Sequence, residues 1–253
     1  MGKIYSMFNQ KGGVGKTTSC ANLCAAVAMK GKKVLAVDFD AHSNLTRGLD
    51  INKKELKANI YHVLMREVEA KDAIVPTKIE NLDILPATID LAGAEVEMAN
   101  VPQREIVLKS MLEPIKDDYD YIIIDCPPSL GLLSINSLSA SDGVLIPIQC
   151  EYYALEGVSQ LINTVNLVKK SLNASLEIAG VMLTMYDART NLSSQIVQEV
   201  RNYFAGKVFD SIIPRNVRLA EAPSYGMTIM QYDKTSKGAI AYDALSDEFI
   251  EKC

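Results

Sequence analysis

The sequence predicts an α/β fold, a doubly wound and mostly parallel sheet with helices on both faces, and three observations predict it. Short runs rich in Ile, Val, Leu and Tyr alternate with longer stretches of helical period, the order that βαβ units produce. The central runs, Tyr121-Ile122-Ile123-Ile124 above all, are apolar at successive positions, as strands covered on both faces must be. No Ser/Gly linker, internal repeat or low-complexity tract interrupts the 253 residues, so one domain over residues 1–253 is expected.

In chain order, strands are expected at Lys3 to Asn9, Lys33 to Phe39, Leu82 to Leu85, Tyr121 to Asp125, Gly143 to Ile148, Glu177 to Leu183 and Val208 to Ile213, each a β-branched or aromatic run bounded by turn residues. Helices are expected at Thr17 to Lys30, Lys53 to Arg66, Pro102 to Lys116, Leu155 to Ser171, Leu192 to Ala205 and Gly238 to Lys252, where apolar residues recur every three to four positions.

With 48% apolar and 23% charged residues the chain is excluded from the disordered class. Its net charge is −5, and division after Cys126 leaves 16 basic against 18 acidic residues, then 10 against 13. That balance argues against a surface built throughout to hold nucleic acid, while leaving room for a small basic patch. Five cysteines without a CxxC pair suggest neither a disulfide framework nor a zinc module. No 18-residue apolar run occurs, and the start MGKIYSMFNQ lacks a signal-peptide layout. A cytoplasmic chain is expected.

The strongest chemical signal is Gln10-Lys11-Gly12-Gly13-Val14-Gly15-Lys16-Thr17-Thr18, set between an expected strand and an expected helix. Glycines let successive backbone N–H groups face inward, and the helix N-terminus adds a positive dipole end. Lys16 can then reach β- and γ-phosphates, and the Thr17 hydroxyl can ligate Mg²⁺. Residues 11–18 therefore form the expected binding loop for a nucleoside triphosphate, which the resemblance given below makes ATP. Two further strand ends carry carboxylates. Asp38 and Asp40 lie two residues apart on one side of a strand at its carboxyl end, where open α/β sheets bind ligands. The run ending in Asp125 has the form of a strand that holds Mg²⁺ through water. Cys126 beside it has no histidine partner in the motif and reads as a small buried residue.

The loop departs from the common G-x-x-x-x-G-K-S/T form, because Gln10 replaces the first glycine and Lys11 is an added lysine. K-G-G-x-G-K-S/T-S/T resembles the deviant phosphate loop of the ParA and MinD family of P-loop ATPases. The resemblance implies that two monomers sandwich two ATP molecules, with Lys11 reaching the partner's nucleotide as a catalytic cation alongside Lys16. It assigns Asp40 to positioning the attacking water and Asp38 to the surroundings of the Mg²⁺ ion. Ala41 and His42 stand where the family usually has Pro and Gln, which bears on hydrolysis rate rather than on ATP binding.

Further segments look like chromosomal ParA proteins of the Soj type, among them NLDILPATIDLAGAE, IPIQCEYYALEGVSQL, LTMYDARTNLSSQ and IPRNVRLAEAPSYG, so the resemblance spans nearly the whole chain. It implies that Pro214, Arg215 and Asn216 pack on the adenine, that Glu151 is a dimer-interface carboxylate beside the nucleotide, and that Arg189 and Arg218 bind double-stranded DNA without sequence preference. It also implies an ATP-dependent homodimer, a ParB-type (Spo0J-type) centromere-binding partner that stimulates weak intrinsic hydrolysis, and a nucleoid-associated location. From Asp187 to Arg218 five basic residues face three acidic ones, a local net of +2.

Two other classes share the deviant loop. A MinD-like membrane-cycling ATPase needs a basic amphipathic C-terminal helix, whereas Leu219 to Cys253 carries three basic and six acidic residues, so no membrane partner is expected. The other class is metabolic, comprising iron-protein reductases, cofactor amidating synthetases and ion-pump ATPases; a bridging iron–sulfur cluster needs cysteines at loops, whereas Cys20 and Cys24 lie one turn apart on an expected core helix. The start at the first strand leaves no room for an N-terminal helix-turn-helix, so operator reading is not expected.

Overall fold

The computed structural model describes residues 2–155 and 157–253. The elements run β1 (Lys3–Met7), α1 (Lys16–Met29), β2 (Val34–Asp38), α2 (Asn44–Gly48), α3 (Ile60–Leu64), α4 (Ala70–Ala73), β3 (Val75–Pro76), β4 (Leu82–Leu85), α5 (Leu91–Glu97), α6 (Val107–Leu112) and β5 (Tyr121–Asp125). There follow α7 (Leu132–Ala140), β6 (Gly143–Gln149), α8 (Val158–Ser171), β7 (Glu177–Tyr186), α9 (Asn191–Tyr203), β8 (Val208–Pro214), α10 (Val217–Glu221), α11 (Ile229–Tyr232) and α12 (Lys237–Lys252).

The sheet order is β3-β4-β2-β5-β1-β6-β7-β8. All pairings are parallel except β3 with β4. The expected doubly wound sheet is therefore present, and β2, β5 and β1 stand side by side, so their carboxyl ends open onto one place.

Alternate strand residues feed two cores. Ile4, Leu35, Val37, Ile122 and Ile124 face α5 to α8, while Tyr5, Val34, Ala36, Tyr121 and Ile123 face α1 and α12. Cys20 and Cys24 lie in the second core, fully buried.

Several expected boundaries are corrected. The helix expected from Lys53 to Arg66 survives only as α3, because Asn59 caps it by accepting from Tyr61 N and leaves 53–58 as a lysine-rich loop, its lysines exposed and Ala58 buried. The one expected from Pro102 to Lys116 contracts to α6 flanked by 3₁₀ turns. The crossover α7 was not expected. Its sequence LLSINSLSA interleaves apolar residues with three serines and Asn136, and these polar groups are buried because the Ser137 hydroxyl donates back to Leu133 O at 3.0 Å and that of Ser141 to Ser137 O at 2.8 Å.

Candidate active site

Gly13 and Gly15 take left-handed conformations, φ 75° and 90°, which side chains rarely adopt. Gly15 then starts α1 with no side-chain cap, so the first-turn amides and the positive helix end point at the cleft. A Cβ on Gly12 or Gly13 would meet nothing within 4 Å, which leaves the cradle open. The sheet pins the loop from below. Asn9 Oδ1 accepts from Lys11 N at 3.0 Å while its amide donates to Pro147 O at 2.8 Å, and Thr184 Oγ1 donates to Val14 O at 2.8 Å.

Lys16 is buried and folds back over its own loop, donating to Lys11 O at 3.1 Å. Burial lowers the pKa of this ammonium, against the opposing pull of Asp125, Cys126 and Asp40. A cation so placed gains from an incoming anion.

Asp38 and Asp125 end β2 and β5 directly opposite each other in register, and both are buried. Their environments differ. Asp38 Oδ2 accepts from Thr46 N at 2.8 Å and Thr46 Oγ1 at 2.6 Å, and its Oδ1 accepts from Asp40 N at 3.3 Å. Burial still pushes Asp38 up to about 6. Neither oxygen of Asp125 has a hydrogen-bond partner, although Thr17 and Lys16 lie beside it. Burial, then Asp38, push Asp125 well above the usual carboxylate range. An orphaned, desolvated carboxylate beside a threonine hydroxyl and a phosphate cradle is the environment a divalent cation with its waters would satisfy, so these residues fit Mg²⁺. Among the described residues no cluster of three or more His, Cys, Asp or Glu could hold a metal alone. Such an ion needs the oxygens of a bound phosphate.

Asp40 lines the same cleft, a cavity of about 370 Å³ with Gly12, Gly13, Lys16, Thr17 and His42 in its walls. His42 Nδ1 sits 2.7 Å from Asp40 Oδ1, and the Asp40 hydrogen bond and charge raise the imidazole pKa. Cys126 is buried and its thiol is pushed up to about 12 by desolvation, so it is not a nucleophile.

A second cavity of about 390 Å³ adjoins the first through Gly15, Thr18 and Met185, and is walled by Pro214, Arg215 and Asn216. Asn216 caps α10 by accepting from Arg218 N at 2.8 Å, which fixes the wall. Lys11 is paired with Glu151 of the same chain. Arg189 and Arg218 follow the ends of the neighbouring strands β7 and β8. Arg189 Nε and Nη2 clasp Asp187 at 2.9 and 2.7 Å. Arg218 pairs with Glu221 at 3.0 Å and Asp233 at 3.8 Å and lies over the Tyr232 ring. With Arg201 against Asp210 and Lys207 against Glu177, the local excess of +2 is largely held in intramolecular pairs.

Three contributing residues were not legible. Thr46 lies outside the quoted motifs, Thr184 and Met185 fall in the segment LTMYDARTNLSSQ without a role being read for them, and the left-handed backbone of Met185, φ 54°, has no sequence signal in a methionine.

Known proteins resemble this arrangement as a whole. A family model described as an AAA domain matches residues 2–178. The chain is 57% identical over 248 residues to the sporulation initiation inhibitor protein Soj of Bacillus subtilis, covering 98% of each. It is 50% identical to the chromosome partitioning protein ParA of Myxococcus xanthus, over 100% of this chain and 89% of that one. A crystal structure of cobyrinic acid a,c-diamide synthase from Mycobacterium smegmatis, with bound ATP analog and magnesium, superposes with a TM-score of 0.87 at 37% identity, covering 99% of this chain and 95% of that one.

Proposed function

Because the chain belongs to the ParA family of chromosome-partitioning ATPases, close to Soj, we propose that it couples ATP binding and slow hydrolysis to reversible association with DNA. The observation that carries this reading is the meeting of the glycine cradle, buried Lys16 and the orphaned carboxylate of Asp125 in one cleft. The synthase in the structural comparison is 37% identical, against 57% for Soj, and that difference favours partitioning.

In this reading residues 11–18 bind the ATP phosphates, and Pro214, Arg215 and Asn216 hold the base. Thr17 and Asp125 would hold Mg²⁺, with Asp38 behind them. When bound, Mg²⁺ neutralises charge on the β- and γ-phosphate oxygens. Asp40 positions the attacking water. Lys11 leaves Glu151 and reaches the nucleotide of a second copy, where a cation stabilises charge developing in phosphoryl transfer, so hydrolysis waits on dimerisation. Glu151 stays at the interface beside the nucleotide. The dimer doubles the Arg189 and Arg218 contacts and so binds double-stranded DNA without sequence preference, cytoplasmically on the nucleoid, until a ParB-type partner stimulates hydrolysis.

The MinD-like alternative is disfavoured by α12, whose Tyr242, Leu245 and Phe249 are buried in the core and leave no such apolar face for a bilayer. No helix among the described residues is long and apolar enough to cross a membrane. Asp40→Ala tests the proposal. It should retain an ATP-bound dimer while turnover falls roughly 100-fold or more, the scale for a lost group that acts on the reacting water. Turnover at the parental rate would refute the assignment.

A further inference from the structure

We infer that Thr46 is a positioning residue for the cation side of this cleft, acting through Asp38. The inference rests on the ATP and Mg²⁺ reading above. Thr46 is fully buried in α2, and nothing in the phosphate-loop motif points to it. Its amide and its hydroxyl both donate to Asp38 Oδ2, at 2.8 and 2.6 Å. The same hydroxyl accepts from Ala87 N, just beyond β4, at 3.0 Å. Its single proton is thus committed to Asp38 and a lone pair to Ala87, so the hydroxyl cannot rotate without breaking a buried bond.

This one side chain ties the carboxyl end of β2, the short helix α2 and the segment after β4. Two consequences follow at the cleft. Asp38, which faces Asp125 in register, keeps Oδ2 occupied by Thr46, whereas Asp125 keeps both oxygens for a cation and its waters. Asp38 Oδ1 in turn receives Asp40 N at 3.3 Å, so a fixed Asp38 also fixes the turn that presents Asp40. Second-layer partners of metal-site carboxylates act in this way, by holding the ligand geometry before the ion arrives.

Valine matches the shape of threonine without its hydroxyl, and would strand Ala87 N while halving the donors to Asp38 Oδ2. Serine keeps both bonds and loses only a methyl. Thr46→Val and Thr46→Ser in the full chain are compared with the parent by binding of a fluorescent ATP analogue, in excess EDTA and across a Mg²⁺ titration. Thr46→Val should raise the Mg²⁺ concentration for half-maximal binding about tenfold or more, the usual cost of removing a second-layer partner, with EDTA affinity within about twofold of the parent. Thr46→Ser should follow the parent in both. The inference is overturned if Thr46→Val titrates like the parent, if EDTA affinity falls as far as Mg²⁺ dependence, or if Thr46→Ser loses as much as Thr46→Val. That last comparison stands even where valine prevents folding, because serine alone must keep parental Mg²⁺ dependence. A parent indifferent to Mg²⁺ would instead overturn the cation reading itself.

Discussion

Lys11, the added lysine of the phosphate loop, is held by Glu151 within its own chain. The pair is about one-third exposed, 34% and 37% for the two side chains, which puts it in the class of partly screened surface ion pairs worth about 0–1 kcal/mol. So weak a latch can be exchanged for a nucleotide phosphate at small cost. Lys11→Ala should therefore lower Tm by no more than about 2–4 °C, the shift for ~1 kcal/mol in a chain of this size. It should leave protomer ATP affinity within severalfold while abolishing ATP-dependent dimers and turnover. Thermal melts and light scattering with ATP check the three parts together.

Asp125 gives a stability prediction of opposite sign. Its folded pKa is raised by burial and by Asp38, so without cation the folded state holds its proton more tightly than the unfolded state. Stability then falls as pH rises above the unfolded value of about 3.9, by up to about 1.4 kcal/mol per pH unit until the folded group ionises. Asp125→Asn removes this loss. In EDTA without nucleotide, the variant should melt close to the parent near pH 4 and above it at pH 7.5, while Mg²⁺-dependent turnover disappears. A variant less stable than the parent at pH 7.5 would contradict the account.

His42 governs a second pH dependence. Protonated imidazole grips Asp40 Oδ1 at 2.7 Å, and because Asp40 raises its pKa the grip persists at pH values where a free histidine is already neutral. As pH rises through that raised value the charge attraction is lost and the hold on Asp40 weakens, which frees it to act on the water. Turnover should climb on this alkaline side of about 6.5 in the parent and be flatter in His42→Gln. Superimposable rate profiles from pH 6 to 9 would remove His42 from the account.

Asp187 and Glu221 hold the two arginines that the proposed function gives to DNA. Arg189→Ala should shallow the salt dependence of DNA binding by about two in the log–log slope per dimer, one lost phosphate contact in each copy. Asp187→Asn should do the reverse of a charge loss, tightening DNA binding severalfold without altering ATP turnover. Fluorescence anisotropy at several salt concentrations measures both. Unchanged affinity in Asp187→Asn would mean that the clasp is already open in the DNA-binding state.

The parts of the molecule that were legible in the chain are those fixed by local rules. The apolar run Tyr121–Asp125 had to be a covered strand, and glycines at 12, 13 and 15 followed by Lys16 had to be a turn into a helix. What was hidden depends on partners far away in sequence. The buried helix α7 carries serines that can be buried because they bond to its own turns. The β3 strand is two residues antiparallel to β4 and too short to show alternation. Thr46 matters because Asp38 and Ala87 meet it, which no spacing rule reveals. The basic excess around Arg189 and Arg218 was visible as a count, whereas its pairing to Asp187 and Glu221 was not.

The central claim is that ATP gates DNA binding, and it is tested most directly by anisotropy of a random-sequence DNA duplex titrated with the parent protein at low salt, in ATP, in ADP and without nucleotide. The account predicts binding with ATP alone, lost on raising salt and absent when Arg189 and Arg218 are both changed to Glu. Equal binding in all three nucleotide states, or none in any, would contradict it.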